Sequence, residues 1–568
     1  MIYGIEFILI LLALVLAFAF PGLGSRWFES VERALGKLAA RPRLAVVLTG
    51  FSALAARAAL LPILPIPDPA LHDEFCYLLA ADTFAHGRLA NPTHPMWIHF
   101  DTFYVLWHPA YASMFPPAQG LIMALGQVVL GHPFWGVWLS CGLMCSALTW
   151  MLQGWMPPKW AVLGGLLAVI RLATFSYWAN SYWGGAVAAT GGALVFGALP
   201  RLKHSQRVVD ALLLGLGLAI LANSRPYEGL IFSLPVVAAL LAWMLGRKHP
   251  PFRSTLRRLV IPVGVVLGVV AVLMGYYFWR VTGSPWHMGH QAYDATHPAN
   301  PYFLWQTPHP VRAFQNEAIK GFYLTRELPY WQQIHSLGGL LRLECTRLVE
   351  IWMFYFMALL TLPLLVTLAA LPFGFSWRQI SKSTRFLLLA AGFGLAGYAL
   401  EVYFNPHYIA PGTCLAYALV LGAMRYARGW TWRQKPVGLA ITRSIPLIAG
   451  VLFVLCAAFG PALRPFQPGV FTWCSPSSSS LMLDRARILT ELEQQPGLHL
   501  VIVRYSPNHQ FGLDWVYNRA DIDASKVVWA RDLGQQQNAE LLKYFQGRRI
   551  WMVEPDLTPP RLSAYPAE

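Results

Sequence analysis

Two adjacent carboxylates, Asp73 and Glu74, follow closely on the apolar run Leu44–Pro67. Carboxylates at the mouth of a membrane span are costly to desolvate, yet easily reached from the water side. That position suits an enzyme that draws a substrate from the lipid and does acid–base chemistry at the membrane surface. A loop also carries acids simply to stay solvated, so the pair gains weight only from its surroundings. Those surroundings supply cations: Arg57, Arg171 and Arg225 lie in or beside apolar runs, and Glu401 ends another. Charged side chains at membrane depth are rare and mark function by default.

The elements that must position these groups are membrane spans. The chain has 568 residues, 56% hydrophobic and only 12% charged, against about 25% charged in a soluble protein. Its 23 Trp and 23 Tyr fit residues that settle at the water–lipid interface. A net charge of +16 would point to nucleic acid in a soluble chain. Here the cations sit in short loops between apolar runs, so nucleic acid is not expected as a partner. Seven cysteines without CxxC spacing indicate neither a zinc site nor a disulfide framework. Ile2–Phe20 lacks a basic start and a cleavage site, and reads as a retained span rather than a signal peptide.

Taking about 20 apolar residues per helix, spans are predicted near residues 2–20, 44–65, 134–155, 160–178, 184–200, 208–223, 228–246, 259–279, 351–371, 386–402, 409–424 and 444–462. Loop charge then alternates. Arg26, Arg33, Lys37, Arg41 and Arg43 share a side with Arg247, Lys248, Arg253, Arg257, Arg258, Arg425, Arg428, Arg433, Lys435 and Arg443, the cytoplasmic one. The loop 66–118 holds Asp68, Asp73, Glu74, Asp82 and Asp101 against a single Arg88, and faces outward with loop 280–350 and the C-terminal tail. Within the first outer loop, Phe75–His86 has the spacing of a helix lying on an apolar surface, and Ala118–Leu130 is a second, interfacial one. Beyond the polar linker 475–480, the pattern predicts helices at Asp484–Gln494 and Asn538–Phe545. Strands are predicted at Leu498–Tyr505, Val527–Ala530 and Arg549–Val553. The organisation expected is an N-terminal span and basic loop (1–43), a transmembrane catalytic region (44–462, outer loops 66–133 and 280–350), and a linker with an outer domain (463–568).

Several motifs carry a family resemblance. Asp73-Glu74 is followed by Tyr77 in a helix beginning Phe-Cys-Tyr-Leu. Phe115-Pro116-Pro117-Ala118-Gln119-Gly120 precedes the interfacial helix that ends Leu130-Gly131-His132, and Asn405-Pro406-His407-Tyr408 follows a late span. In these the chain resembles the polytopic, lipid-sugar-dependent glycosyltransferases of the GT-C class, nearest the protein O-mannosyltransferase, aminoarabinose-transferase and Rgt-type galacturonosyltransferase group. The resemblance covers about residues 44–425; the N-terminal span and the C-terminal domain depart from it. It implies an all-α, GT-C-like membrane protein, to which the apolar pattern gives about twelve spans and the strand and helix pattern adds a small C-terminal α/β domain on the outer face. The implied setting is a cell inner (cytoplasmic) membrane, with a polyprenyl-phosphate sugar donor and a lipid, glycan or protein acceptor.

With such a donor the leaving phosphate needs no proton, so one base and a phosphate clamp suffice. Asp73 is the candidate base, which predicts single-step inversion. Glu74 is a second catalytic candidate and a candidate ligand for a divalent cation, the one cofactor considered; its competing role is to cap the following helix. A mid-membrane charge costs about 2.5–3.5 kcal/mol on insertion scales. A phosphate about 4 Å away at an effective dielectric near 20 returns about 4 kcal/mol. Arg225, in the polar break Asn223–Glu228, therefore leads the clamp, against a simple pairing with Glu228. Arg57 and Arg171 are further clamp candidates that otherwise snorkel to headgroups. His407 and Tyr408 are candidates for phosphate, and Tyr77, Tyr182 and Glu401 for acceptor or sugar, Glu401 otherwise neutralising an arginine.

Two patterns are discounted. Asp521-Ile522-Asp523 mimics a DxD metal motif within turn composition, and His94, His99 and His108 lack zinc-ligand spacing. The competing functions are a lipid-linked glycan flippase or transporter, against which no internal repeat is evident, and a polysaccharide polymerase or ligase.

Overall fold

The computed structural model describes residues 2–246, 250–297, 301–308, 316–372, 376–463, 471–474, 480–507, 509 and 513–566. Arg247, Lys248 and linker residues 475–479 lie outside them. Every predicted span is occupied by a helix. Proline opens several of them at the first turn, as at Pro42, Pro158 and Pro226, where its missing N–H costs nothing. Among the described residues seven helices are long and apolar enough to cross a membrane. An eighth follows if Ser25–Ala39 and Pro42–Ala59, bent by 112°, count as one span. The predicted spans 160–178, 208–223, 386–402 and 409–424 are shorter helices: Pro158–Leu172, Val208–Ala222, Lys382–Tyr398 and Thr413–Ala427. This is a mostly helical, multi-pass membrane protein.

One span is broken. Leu337–Ile351 passes through a wide turn at Trp352–Phe356 into Met357–Ala369, with Met357 at a φ of 47°. Backbone groups freed inside an apolar bundle must be satisfied by protein. Glu6, on the N-terminal helix Ile2–Ala19, accepts the Leu359 N–H at 2.8 Å, and Arg171 donates to the Phe356 carbonyl at 3.2 Å. The two side chains pair at 3.6 Å, and Trp473 donates its indole N–H to Glu6 at 3.2 Å while its ring covers the Arg171 guanidinium. The N-terminal span is thus part of the bundle.

Charge alternation is matched by contacts at both ends. Glu32 receives Arg428 at 3.0 Å and Arg443 at 2.9 Å, joining two of the basic loops. At the opposite end, His94 meets Asp523 at 3.1 Å and Asn316 donates to the Asp101 carbonyl at 2.8 Å, joining the first outer loop to the tail and to loop 280–350.

The predicted outer-loop helices form as His72–Ala85 and Pro117–Leu130, the latter closed by Gly131 at a φ of 77°. Between them lies a short hairpin, β1 (Val105–Leu106) with β2 (Ala112–Ser113). The C-terminal module has strands β3 (His499–Val503), β4 (Val527–Arg531), β5 (Arg549–Glu554) and β6 (Arg561–Ala564), the last unpredicted. Their order is β4-β3-β5-β6, parallel except for the β5–β6 pair. The module does not stand alone. Its Val501, Trp515, Val516 and Trp529 share one hydrophobic core with Phe75, Leu79, Phe100 and Trp107 of the first outer loop. Phe75 stacks on Tyr517 with ring centroids 4.4 Å apart, and buried Arg531 binds Asp514 at 2.5 Å and donates to the Asp101 carbonyl.

Candidate active site

The helix His72–Ala85 presents Asp73 in its first turn, beside Glu74. Glu74 is fully committed to backbone. One carboxylate oxygen accepts the N–H groups of Ala70 (2.8 Å) and Leu71 (3.2 Å), and the other accepts that of Tyr182 (3.0 Å). It closes its own helix start and ties it to the segment before Gly185–Ser205, although burial pushes its pKa up to about 7. The catalytic and metal roles considered for Glu74 therefore give way to the capping role. Among the described residues no group of three or more His, Cys, Asp or Glu could hold a metal ion.

Asp73 is left to interact with Arg225. Burial pushes its carboxyl up to about 6, held back chiefly by the Arg225 guanidinium. Arg225 sits at the break between Val208–Ala222 and Pro226–Leu245, where the Asn223 carbonyl accepts the Ala118 N–H at 2.9 Å and so ties the break to the interfacial helix. A cavity of about 230 Å³ lies between these elements, lined by Tyr77, Pro116, Gln119, Trp183, Ser224 and Arg225. Tyr77 is held by stacking on Phe115 at 4.7 Å. The Arg225 guanidinium rests over the Tyr408 ring at 4.1 Å and stands 3.6 Å from Glu228. Among the described residues it donates no hydrogen bond, so its fork of N–H groups remains open to a ligand. An adjoining apolar cavity of about 300 Å³ shares Pro116 and runs between Pro226 and Tyr277, Phe278 and Val281.

The other sequence candidates divide. Tyr77, Arg225 and Tyr408 gather with Asp73, Tyr408 as the platform beneath the guanidinium. The pairing of Arg225 with Glu228 is also present, so that residue has both of its expected contacts. Glu401 interacts with Glu228 and Arg225, and its backbone carbonyl accepts from Arg347. Arg57 does not reach headgroups and is not a clamp: it is 1% exposed and donates to the carbonyls of Leu64 (2.9 Å), Pro65 and Ala179. Arg171 is likewise committed, to Glu6 and the broken span. Tyr182 is turned away, its hydroxyl on the Pro67 carbonyl at 2.8 Å. His407 bonds the Tyr177 hydroxyl at 3.0 Å and packs against Trp183 at 4.9 Å, backing the cavity wall rather than lining it.

The discounted patterns are structural. Asp523 serves His94 and Tyr544, Asp521 caps the Ala524 N–H, and His99 bonds the Arg531 carbonyl. Trp183 and Gln119 are the lining residues the sequence did not single out. Gln119 stood within the Pro-Pro-Ala-Gln-Gly motif, and Trp183 beside Tyr182, where abundant interfacial aromatics hid its signal.

No family model and no curated protein sequence matches the chain. In fold it is similar to ArnT from Cupriavidus metallidurans bound to undecaprenyl phosphate, with a TM-score of 0.48 and 13% identity, covering 90% of this chain and 92% of that one. It is also similar to the oligosaccharyltransferase of Archaeoglobus fulgidus in the apo form (TM-score 0.45, 12% identity, 90% and 69% covered). The complex of that protein with Zn and sulfate gives a TM-score of 0.47 at 10% identity, covering 90% and 67%.

Proposed function

We propose that this protein is an integral-membrane glycosyltransferase that moves a sugar from a polyprenyl-phosphate donor to an acceptor hydroxyl. The reaction takes place at the extracytoplasmic side of a cell inner membrane. Asp73 takes the proton of the acceptor hydroxyl as that oxygen attacks the anomeric carbon from the face opposite the phosphate. The bond between the anomeric carbon and the phosphate oxygen breaks, and polyprenyl phosphate leaves with one more negative charge. Arg225 receives that charge, which is where a fixed cation lowers a barrier most. One displacement inverts the anomeric centre. The apolar cavity against Tyr277 and Phe278 seats the first part of the prenyl chain.

The observation that carries this reading is Asp73, a carboxylate with a raised pKa, within electrostatic reach of Arg225, a cavity-lining guanidinium that donates no hydrogen bond among the described residues. Such a pair fits a base and a phosphate clamp better than a structural ion pair. The acceptor is a membrane lipid, a glycan or a protein. Incubating purified protein with labelled polyprenyl-phosphate sugars and membrane extract tests the reading. Transfer that is undiminished in Asp73→Asn removes Asp73 from the base role, and lipid translocation in vesicles without a glycosidic product replaces the transferase with a flippase.

A further inference from the structure

The cavity contains an acceptor atom that no group among the described residues satisfies. Gln119 is 3% exposed, and its amide nitrogen donates to the Tyr182 carbonyl at 3.1 Å and approaches the Met123 sulfur at 3.2 Å. A carbonyl partner requires the nitrogen on that side, which fixes the orientation of the amide. Its oxygen therefore points the other way, and among the described residues it has no partner. The position is built rather than accidental. Tyr182 is itself pinned by Glu74 through its N–H, so the carbonyl that grips Gln119 is held in place. Gly184, at a φ of 81°, keeps the far side open, since a Cβ there would come within 2.9 Å of the amide oxygen.

A buried acceptor left unmet costs about 1–3 kcal/mol, so the site is best completed by a ligand that brings a donor. An ionised phosphodiester carries only acceptors and cannot do so; a sugar hydroxyl can. We propose that Gln119 is a specificity-determining residue whose amide oxygen accepts a hydrogen bond from one hydroxyl of the transferred sugar, while Arg225 in the same cavity holds the phosphate. This rests on the glycosyltransferase reading and assigns the sugar end of its donor. A site that makes such a bond rejects analogues lacking the hydroxyl, because its own buried group is then stranded.

The test measures equilibrium binding of detergent-purified full-length protein to undecaprenyl phosphate, to its hexoside, and to a series of monodeoxy hexosides. The unaltered protein is expected to bind one monodeoxy compound about tenfold more weakly than the parent hexoside and the others nearly as well. Gln119→Leu is expected to lose about tenfold on the hexoside, leave bare undecaprenyl phosphate unchanged, and erase the discrimination within the series. Equal weakening of both lipids by Gln119→Leu makes Gln119 a structural residue and overturns the assignment. A flat monodeoxy series on the unaltered protein overturns it without any variant. Failure of the unaltered protein to bind undecaprenyl phosphate at all instead overturns the parent reading, and this one with it.

Discussion

Replacing Arg225 with glutamine should move the acid limb of the rate profile toward higher pH. Asp73 acts as a base only when ionised, and burial has raised its pKa to about 6 against the opposing pull of Arg225. The unaltered enzyme should therefore hold about 90% of its Asp73 ionised at pH 7 and about 10% at pH 5. Activity falls close to tenfold for each pH unit below 6. The cation lowers this pKa, so deleting it raises the pKa further. At an effective dielectric near 20, a unit charge about 8 Å away contributes about 2 kcal/mol, or about 1.5 pKa units, and more at closer range. In Arg225→Gln the limb should thus sit above pH 7, and the variant should lose more activity at pH 6.5 than at pH 8.5. The assay is kcat/KM for a labelled polyprenyl-phosphate sugar between pH 5 and pH 9, with Arg225→Lys as a charge-preserving control. A uniform loss at every pH, with the limb unmoved, would refute the electrostatic coupling while leaving Arg225 a phosphate ligand.

Other outcomes follow from the same contacts. Asp73→Asn should lower transfer by about 10²–10⁴ without lowering the melting temperature of the detergent-solubilised protein, since a positioned base is worth that much. Glu74→Ala should do the reverse in kind, lowering the melting temperature because three N–H groups, two of them buried, lose their acceptor, at about 1–3 kcal/mol for each buried group left unsatisfied. Glu6→Ala should cost about 3–5 kcal/mol of stability, because it strands Arg171 inside the bundle and frees the Leu359 N–H at the broken span. Limited proteolysis within 352–360 should report it first. Tyr408→Leu should weaken binding of bare polyprenyl phosphate by removing the platform under Arg225, whereas Tyr182→Phe should leave that binding intact.

What could be read from the sequence was set by length and charge. Apolar stretches located a helix at each predicted span, though the crossing helices number seven or eight among the described residues rather than twelve. The placement of the basic loops on one side agrees with the meeting of Glu32 with Arg428 and Arg443. Strand alternation found β3, β4 and β5, but not β6, which is short and half exposed. The facing of side chains could not be read. A helix that is apolar all round has no preferred face, so nothing in its period says whether Arg171 looks toward lipid, a cavity or a distant glutamate. The partner of Arg171 is Glu6, far away in the chain, at a break in the helix that its sequence does not announce. In the irregular segment before Gly185 there is no period at all, and a one-residue choice between Tyr182 and Trp183 decides which ring lines the cavity. Asp73 and Arg225 stood out because each had to be explained wherever it faced.

The core shared by the first outer loop and the C-terminal strands reverses the order in which the chain is made. Asp73 leaves the ribosome early, but Phe75, Phe100 and Trp107 lack much of their shared core until Val501, Trp515 and Trp529 have been made. The first outer loop therefore waits for its full packing through the insertion of every later span. A chain halted anywhere before β4 should leave the first outer loop without its full packing.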